Sequence, residues 1–455
     1  MKKPNVIFIL ADDMGYGDLG IFGDGSSQTP HLDALAGGGV CLSRYYTASP
    51  MCAPARATIL TGRYPHRTGA IDTLEACELD RLSLNETTMA DVFKQNGYAT
   101  GMVGKWHLGY FGDEYAPHAR GFDEAVYFRG AFSDYYDYTL EYNGEKHKGD
   151  GKYLTDVFTD EAVGYIKRHK DEPFFLYVAY NAPHFPFQCP VEYVERFNHT
   201  GRSNPTLPTL YGMIACMDRG VGDIIAAVRE CGVEDDTLIV FTSDNGPQLE
   251  YGGERYNCHL HGQKGTVYDG GLRVPAILRW PGRLAANARI HDFMHGVDWF
   301  PTLFDACGIT PPENLRLDGR SVLDILMRKP HEYGKQRHWQ WNRFTPVSRC
   351  NAAIRDGVWK LVWPMIPESQ IVPKDYAVRW EQELYNGGGL IAGMKYDDSR
   401  RVIPPSFPPE LYNLEDDPLE TNDLSGRYPE LTARLIEDLD NWFAEIETER
   451  RAITR

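Results

Sequence analysis

Long apolar runs are missing from this chain. No stretch approaches the ~20 residues that a membrane-spanning helix needs, so no membrane span is expected. The apolar segment 6–11 is short and leads into Asp12-Asp13-Met14-Gly15-Tyr16-Gly17-Asp18 without a small-residue cleavage site. It reads as a buried strand. As the sequence stands the expected compartment is cytoplasmic, or periplasmic or secreted if a leader has been removed. Paired cysteines are missing too. There are nine, an odd number, with neither disulfide-framework nor metal-ligand spacing. Cys41, Cys77, Cys189, Cys216, Cys231, Cys258, Cys307 and Cys350 read as small buried hydrophobes or surface thiols. Positive charge is in deficit. A net charge of -17 disfavours nucleic acid as a partner, and any site for an anionic substrate must be locally basic. Internal repeats and low-complexity tracts are also lacking.

Four short, nearly continuous apolar runs are present, at 5–11, 99–103, 174–180 and 237–241. They suit parallel strands covered on both faces. Helical patterns lie between them, one at 88–94 and a longer one at about 210–230. This alternation predicts an α/β fold with a large, mainly parallel, doubly wound sheet between helices. Residues 128–153 are rich in Tyr, Gly and Asp without a clear period and read as a surface loop or lid. A break falls near Arg328-Lys329-Pro330. Beyond it, 352–362 reads as a hairpin about Asp356-Gly357. The stretch 429–448 reads as an amphipathic helix with Leu431, Leu435, Leu439, Trp442 and Phe443 on one face. Two domains are expected: a catalytic domain over 1–330, and a smaller α+β domain over 331–455. The second would carry an antiparallel sheet and the terminal helix, and contribute to the substrate cleft.

Chemistry-bearing residues follow each of the four strands. Asp12 and Asp13 follow the first. Lys105 and His107 follow the second, in Gly104-Lys105-Trp106-His107-Leu108-Gly109. His184 follows the third, in Pro183-His184-Phe185-Pro186. Asp244 and Asn245 follow the fourth, in Ser243-Asp244-Asn245-Gly246. Ligands of open α/β sheets bind beyond the carboxyl ends of the strands, so these residues point to one place. Three carboxylates and an amide are hard oxygen ligands, suited to Ca²⁺ or Mg²⁺ rather than zinc. Lysine, arginine and histidine suit an anionic tetrahedral group. Cys52 opens a helix-like stretch, Met51-Cys52-Ala53-Pro54-Ala55-Arg56, where backbone N–H groups would face it.

Taken in order, these motifs resemble the type I sulfatases of the alkaline phosphatase superfamily, among them arylsulfatases and glycan sulfatases. The likeness also runs through Leu60-Thr61-Gly62-Arg63, Gly262-Gln263-Lys264-Gly265, Gly270-Gly271-Leu272-Arg273-Val274-Pro275 and Asp298-Trp299-Phe300-Pro301. It ends at Glu410-Leu411-Tyr412-Asn413-Leu414. Any one motif is modest evidence; their succession is specific. Ala55 stands where serine is frequent, and Asp269 where glutamate is frequent; neither removes a proposed catalytic group.

The resemblance implies an alkaline phosphatase-like fold and hydrolysis of sulfate monoesters. It implies that Cys52 is oxidised to formylglycine by a formylglycine-generating or anaerobic sulfatase-maturating enzyme, the hydrated aldehyde being the nucleophile. Asp12, Asp13, Asp244 and Asn245, with the residue at Cys52, would hold a divalent cation: Ca²⁺, with Mg²⁺ as the alternative. Arg56 would hold the hydrate, and Lys105 and Lys264 would clamp sulfate oxygens. His184 with Lys264 would assist the leaving oxygen, and His107 would take the proton of the second hydroxyl as sulfate departs. The expected substrate is a sulfated saccharide or aryl sulfate. Tyr127, Tyr135, Tyr136 and Tyr138 offer ring faces for stacking. Trp341, Asn342 and Arg343, with His261, are expected to bind the sugar. Two other readings are a formylglycine-dependent phosphonate monoester or phosphodiester hydrolase, and a non-catalytic sulfated-glycan-binding protein if Cys52 stays a thiol.

Overall fold

The computed structural model describes residues 3–200, 204–249, 255–331, 336–374 and 401–453. All four apolar runs form strands: Asn5–Ala11, Ala99–Lys105, Phe174–Ala179 and Thr237–Ser243. They are neighbours in the middle of a ten-stranded sheet, among the described residues. Asn5–Ala11 pairs in parallel with Thr237–Ser243 on one side and Phe174–Ala179 on the other. Ala99–Lys105 pairs in parallel with Phe174–Ala179 and with Glu124–Phe128. Every residue of the first strand is buried, which explains its unbroken apolar run. Val6, Phe8 and Leu10 face one helical layer; Ile7 and Ile9 face the other. At ~1.5–3 kcal/mol for each fully buried aliphatic or Phe side chain, this alternation holds the strand in one register. The helix Met89–Gln95 lies on the first face, and the long helix Thr206–Glu230 covers the second.

The region 128–153 departs from the loop expectation. It contains strands Thr139–Tyr142 and Glu145–Lys148, an antiparallel hairpin that extends the sheet at its edge. The turn is Asn143-Gly144, with φ of 50° and 93°. Asn-Gly accepts the left-handed backbone that a two-residue hairpin turn requires. Tyr127, Tyr135 and Tyr138 are buried rather than offered for stacking, and Tyr136 alone of the four is exposed.

Toward the C-terminus, Gln336–Gln340, Ala352–Asp356, Trp359–Trp363 and Glu410–Asn413 form a separate four-stranded antiparallel sheet. Its hairpin turns at Gly357, whose φ is 62°. The terminal helix Pro429–Ala452 packs Leu435, Leu439, Trp442 and Ile446 against Ile354, Leu361 and Leu411. The opposite face brings Ala353, Val362 and Tyr412 against Tyr46, Val267 and Leu272. Period-two alternation therefore buries both faces, one on the helix and one on the larger sheet's layer.

Candidate active site

Asp12, Asp244 and Asn245 follow directly on adjacent strands, as the parallel pairing requires. Asp244 N–H donates to the Ala11 carbonyl at 3.2 Å, and Asp13 N–H to Asp244 Oδ1 at 3.2 Å. Asp13 has a φ of 65° and His107 a φ of 56°, left-handed conformations that cost a non-glycine residue of order 1 kcal/mol or more. For Asp13 the turn is held from outside. Arg255 donates to the Asp13 carbonyl at 2.8 Å, while its Nε lies 3.0 Å from Asp18 Oδ1.

Cys52 is the first residue of the helix Cys52–Thr61 and is buried. Its helix places Arg56 one turn on, beneath the acids. Arg56 Nε donates to Asp244 Oδ2 at 2.9 Å, Nη1 to the Lys105 carbonyl at 3.1 Å, and Nη2 lies 3.7 Å from Asp12 Oδ1. Lys105 Nζ meets Asp12 Oδ2 at 2.6 Å and Lys264 Nζ meets Asp13 Oδ2 at 2.7 Å. Asn245 Nδ2 donates to Asp13 Oδ1 at 2.7 Å. Asp12, Asp13, Cys52 and His184 each bring one ligand atom within 4.8 Å of the others'. Asp244 falls outside that group, and one of its oxygens is taken by Arg56.

The donor set fits a hard divalent cation. Asp12 Oδ1 and Asn245 Oδ1 are buried oxygens without a hydrogen-bond partner, in a nest of three buried carboxylates. Buried oxygens of this kind are costly unless a donor or cation meets them. The electrostatics are divided. Burial pushes Asp244 up to about 6, reinforced by Asp12 and opposed by Arg56. Burial also opposes ionisation of Asp13, but Lys264 and His184 beside it hold its carboxyl well below the usual range. Burial would lower Lys264, yet the Asp13 carboxylate raises it, so the ammonium keeps its proton. The Cys52 thiol is pushed up to about 12 by burial, despite Lys105 and Lys264, so the unmodified sulfur stays protonated.

His107 is fully buried, and neither ring nitrogen has a hydrogen-bond partner; Glu75 Oε1 lies 3.8 Å from Nε2. Burial, with Lys105 and Arg56 nearby, holds it neutral. His184 Nδ1 lies 2.8 Å from the Phe185 carbonyl, which can only accept, so Nδ1 carries the proton and Nε2 faces Asp13 at 3.7 Å. Phe132 and Phe185 stack beside its ring. Tyr135 anchors the same segment: its hydroxyl lies 2.8 and 2.9 Å from the carbonyl oxygens of Asn181 and His184. No periodicity in the sequence separates such a tyrosine from a loop aromatic.

A cavity of about 420 Å³ opens above these groups, lined by Cys52, His107, His184 and Lys264 at its base. Trp341 and Arg343 stand on its wall with Thr73, Gln263 and Gln370. Arg343 is held there by Asp72 at 2.7 Å and Thr73 at 2.6 Å, and its guanidinium lies 5.2 Å from the Trp341 ring centre. Asn342 and His261 lie elsewhere. Asn342 is turned inward and bonds Arg343 and Thr345 carbonyls, Gln340 and the Val347 N–H. His261 stacks on Tyr268 and faces the Glu420 carbonyl. Just beyond the strand Gln336–Gln340, Trp341 and Arg343 reach the cleft while the Asn342 side chain is drawn inward by its hydrogen bonds.

Comparison with known proteins identifies the family. The Sulfatase family model matches residues 4–309, and one described as N-sulphoglucosamine sulphohydrolase, C-terminal, matches residues 259–368. Arylsulfatase J of Mus musculus is 30% identical, the alignment covering 97% of this chain and 76% of that protein. The N-acetylgalactosamine-6-sulfatase of Homo sapiens is 32% identical, covering 72% of this chain and 66% of that protein. The solved structure of Ps i-CgsB in complex with k-i-k-neocarrahexaose superposes with a TM-score of 0.82 at 30% identity. It covers 97% of this chain and 93% of that one. The chain belongs to the sulfatase family, as its motifs anticipate, and is an enzyme that hydrolyses sulfate esters.

Proposed function

We propose that this sulfatase removes sulfate from a sulfated saccharide, using a formylglycine made from Cys52 by a maturating enzyme, and a divalent cation, Ca²⁺ before Mg²⁺. The observation that carries this is the position of Cys52. It stands at a helix N-terminus among Asp12, Asp13 and His184, at the floor of a cleft walled by Trp341 and Arg343. Asp12, Asp13, Asp244 and Asn245 would hold the cation. The hydrated aldehyde supplies the nucleophile and the cation the Lewis acidity at the sulfuryl oxygens. Arg56 orients the acids from below, and Lys105 and Lys264 offer ammonium protons to the sulfate oxygens. Lys264 also carries the proton best placed for the leaving oxygen, because His184 Nε2 can donate only when the ring is charged. His107, neutral and unpartnered, is free to accept a proton beside Cys52.

The saccharide reading is supported by the cleft wall. An aromatic ring backed by a guanidinium suits a sugar face carrying hydroxyl and acidic groups. The relatives named for amino-sugar sulfates, and the neighbour solved with a hexaose, point the same way. The residues 331–455 are read as the smaller domain that supplies this wall to the catalytic residues 1–330.

Mass spectrometry of the Cys52 peptide from native cells, alongside sulfate release from a panel of sulfated saccharides and aryl sulfates, tests the proposal. An aldehyde at position 52 with release from a saccharide is expected. A wholly unmodified thiol in native cells would count against the nucleophile. Turnover of aryl sulfate with every saccharide refused would count against the substrate class.

A further inference from the structure

A second cavity, of about 290 Å³, shares no lining residue with the cleft above Cys52. It lies where the edge of the large sheet meets the C-terminal sheet. Its lining brings together four arginines, Arg44, Arg273, Arg289 and Arg355, with His291 and a single acid, Asp269. In a chain of net charge -17 this concentration of cations is unexpected. The acid offsets only part of it, through Arg273. Asp269 is buried and already receives Lys360 Nζ at 2.8 Å and the Tyr46 hydroxyl at 2.6 Å.

None of the four arginines forms a direct ion pair with a carboxylate among the described residues, although the Asp269 charge acts on Arg273. Arg273 Nε donates to the Ser43 carbonyl at 2.9 Å, and its guanidinium lies over Tyr16. Arg289 lies over the Phe22 ring. Arg355 is only 3% exposed. Its Nε donates to the Gly357 carbonyl at 3.1 Å, and its Nη1 is buried with no partner. The acids of the neighbouring turns are engaged elsewhere: Asp416 with Asn413, Asp417 with Thr421 and Asn422, and Asp292 with His331. A buried guanidinium nitrogen left unpaired costs stability unless an acceptor arrives. Guanidinium forks match the oxygens of sulfate and phosphate. The volume is that of roughly ten waters at ~30 Å³ each, so it admits such a group together with its ester substituent or bound water.

We infer that the Arg44–Arg273–Arg289–Arg355 cavity is a second anion site, taking a sulfate or phosphate group. The site does not depend on whether Cys52 is matured. Its test uses the full chain: thermal unfolding with sodium sulfate or sodium phosphate titrated against sodium chloride at matched ionic strength. Three proteins are compared: wild type, Lys264→Ala, and Arg44→Gln with Arg289→Gln. Arg44 is partly exposed and Arg289 exposed, so their replacement is expected to leave the fold and turnover of a small aryl sulfate intact. The anion-specific stabilisation is expected to persist in Lys264→Ala. Its half-saturating concentration is expected to rise about tenfold or more in the double variant. Equal half-saturation in wild type and double variant, or no anion-specific effect in Lys264→Ala, overturns the inference. Should the double variant unfold early without anion, Arg289→Gln alone serves the same comparison. KM for a short and a long sulfated oligosaccharide separates the sources. A rise for the long one only, in the double variant, assigns the site to the substrate's own sulfate. An unchanged ratio with free-anion stabilisation lost assigns it to free anion.

Discussion

At the scale of single residues, the site is a set of charges whose spacing matters more than their number. Lys264 is tied to Asp13 and lines the cleft beside Cys52, so under the proposed function its loss would remove a donor to the sulfate. Lys264→Ala is expected to lower kcat/KM about 100- to 1,000-fold in a sulfate-release assay while the circular dichroism spectrum stays unchanged. Removing the metal tests the oxygens that lack partners. Dialysis against a chelator is expected to abolish turnover and lower Tm, and Ca²⁺ is expected to restore both more fully than Mg²⁺. Under the proposed function, Tyr135 would act on the chemistry through His184, whose carbonyl its hydroxyl meets. Tyr135→Phe removes one hydroxyl held by two carbonyls, so a loss of about 1 kcal/mol in urea unfolding is expected. A fall in kcat larger than any change in KM should accompany it. An unchanged kcat would restrict Tyr135 to packing.

At the scale of elements, the small sheet is pinned to the catalytic layer by a buried ionic triad. Lys360 Nζ of the strand Trp359–Trp363 lies 2.8 Å from Asp269 and 2.7 Å from Glu420. The Asp269 N–H donates to Glu420 Oε2 at 2.7 Å. All three side chains are buried, so removing the cation leaves two acidic groups facing each other with no cation between them. Lys360→Met is expected to cost about 3 kcal/mol or more in denaturant unfolding, against near-neutral effects for exposed pairs such as Arg219–Asp223. The same scale explains what was and was not legible in the sequence. The four central strands announced themselves because burial on both faces makes them apolar throughout. The edge hairpin 139–148 did not, since one strand is wholly exposed and reads Glu145-Lys146-His147-Lys148. Its one local signal is Asn143-Gly144, which the sequence reading of 128–153 does not use.

At the scale of the molecule, acid should loosen the packing of the terminal helix on the small sheet and on the helix Pro65–Thr68. His66 is buried there, 2.9 Å from Gln340 Oε1 and edge-on to Trp442, and burial lowers its pKa to about 4. His338 stacks on Trp442, and burial, with Arg337 beside it, lowers it to about 3. Both are neutral in the fold and bind protons in the unfolded chain near pH 6.5. Their contribution is therefore complete above that pH and is lost as pH falls from about 6.5 toward 4, by at most ~1.4 kcal/mol per pH unit for each group. Urea midpoints are expected to fall between pH 7.5 and pH 5.0, and His66→Gln to flatten that slope; an equal slope in the variant would remove His66 from the account. Of the whole, the sequence by itself determined the parallel core, the order of the strand-end acids, lysine and histidines, and the family. Those follow from local composition and from the rule that parallel strands deliver their following residues to one edge. Only the tertiary structure decided that Asp244 is shared with Arg56, that Trp341 and Arg343 reach the cleft while Asn342 and His261 do not, and that Arg44 and Arg355 meet Arg273 and Arg289. These depend on side-chain direction and on contacts between distant segments, which residue order alone leaves open.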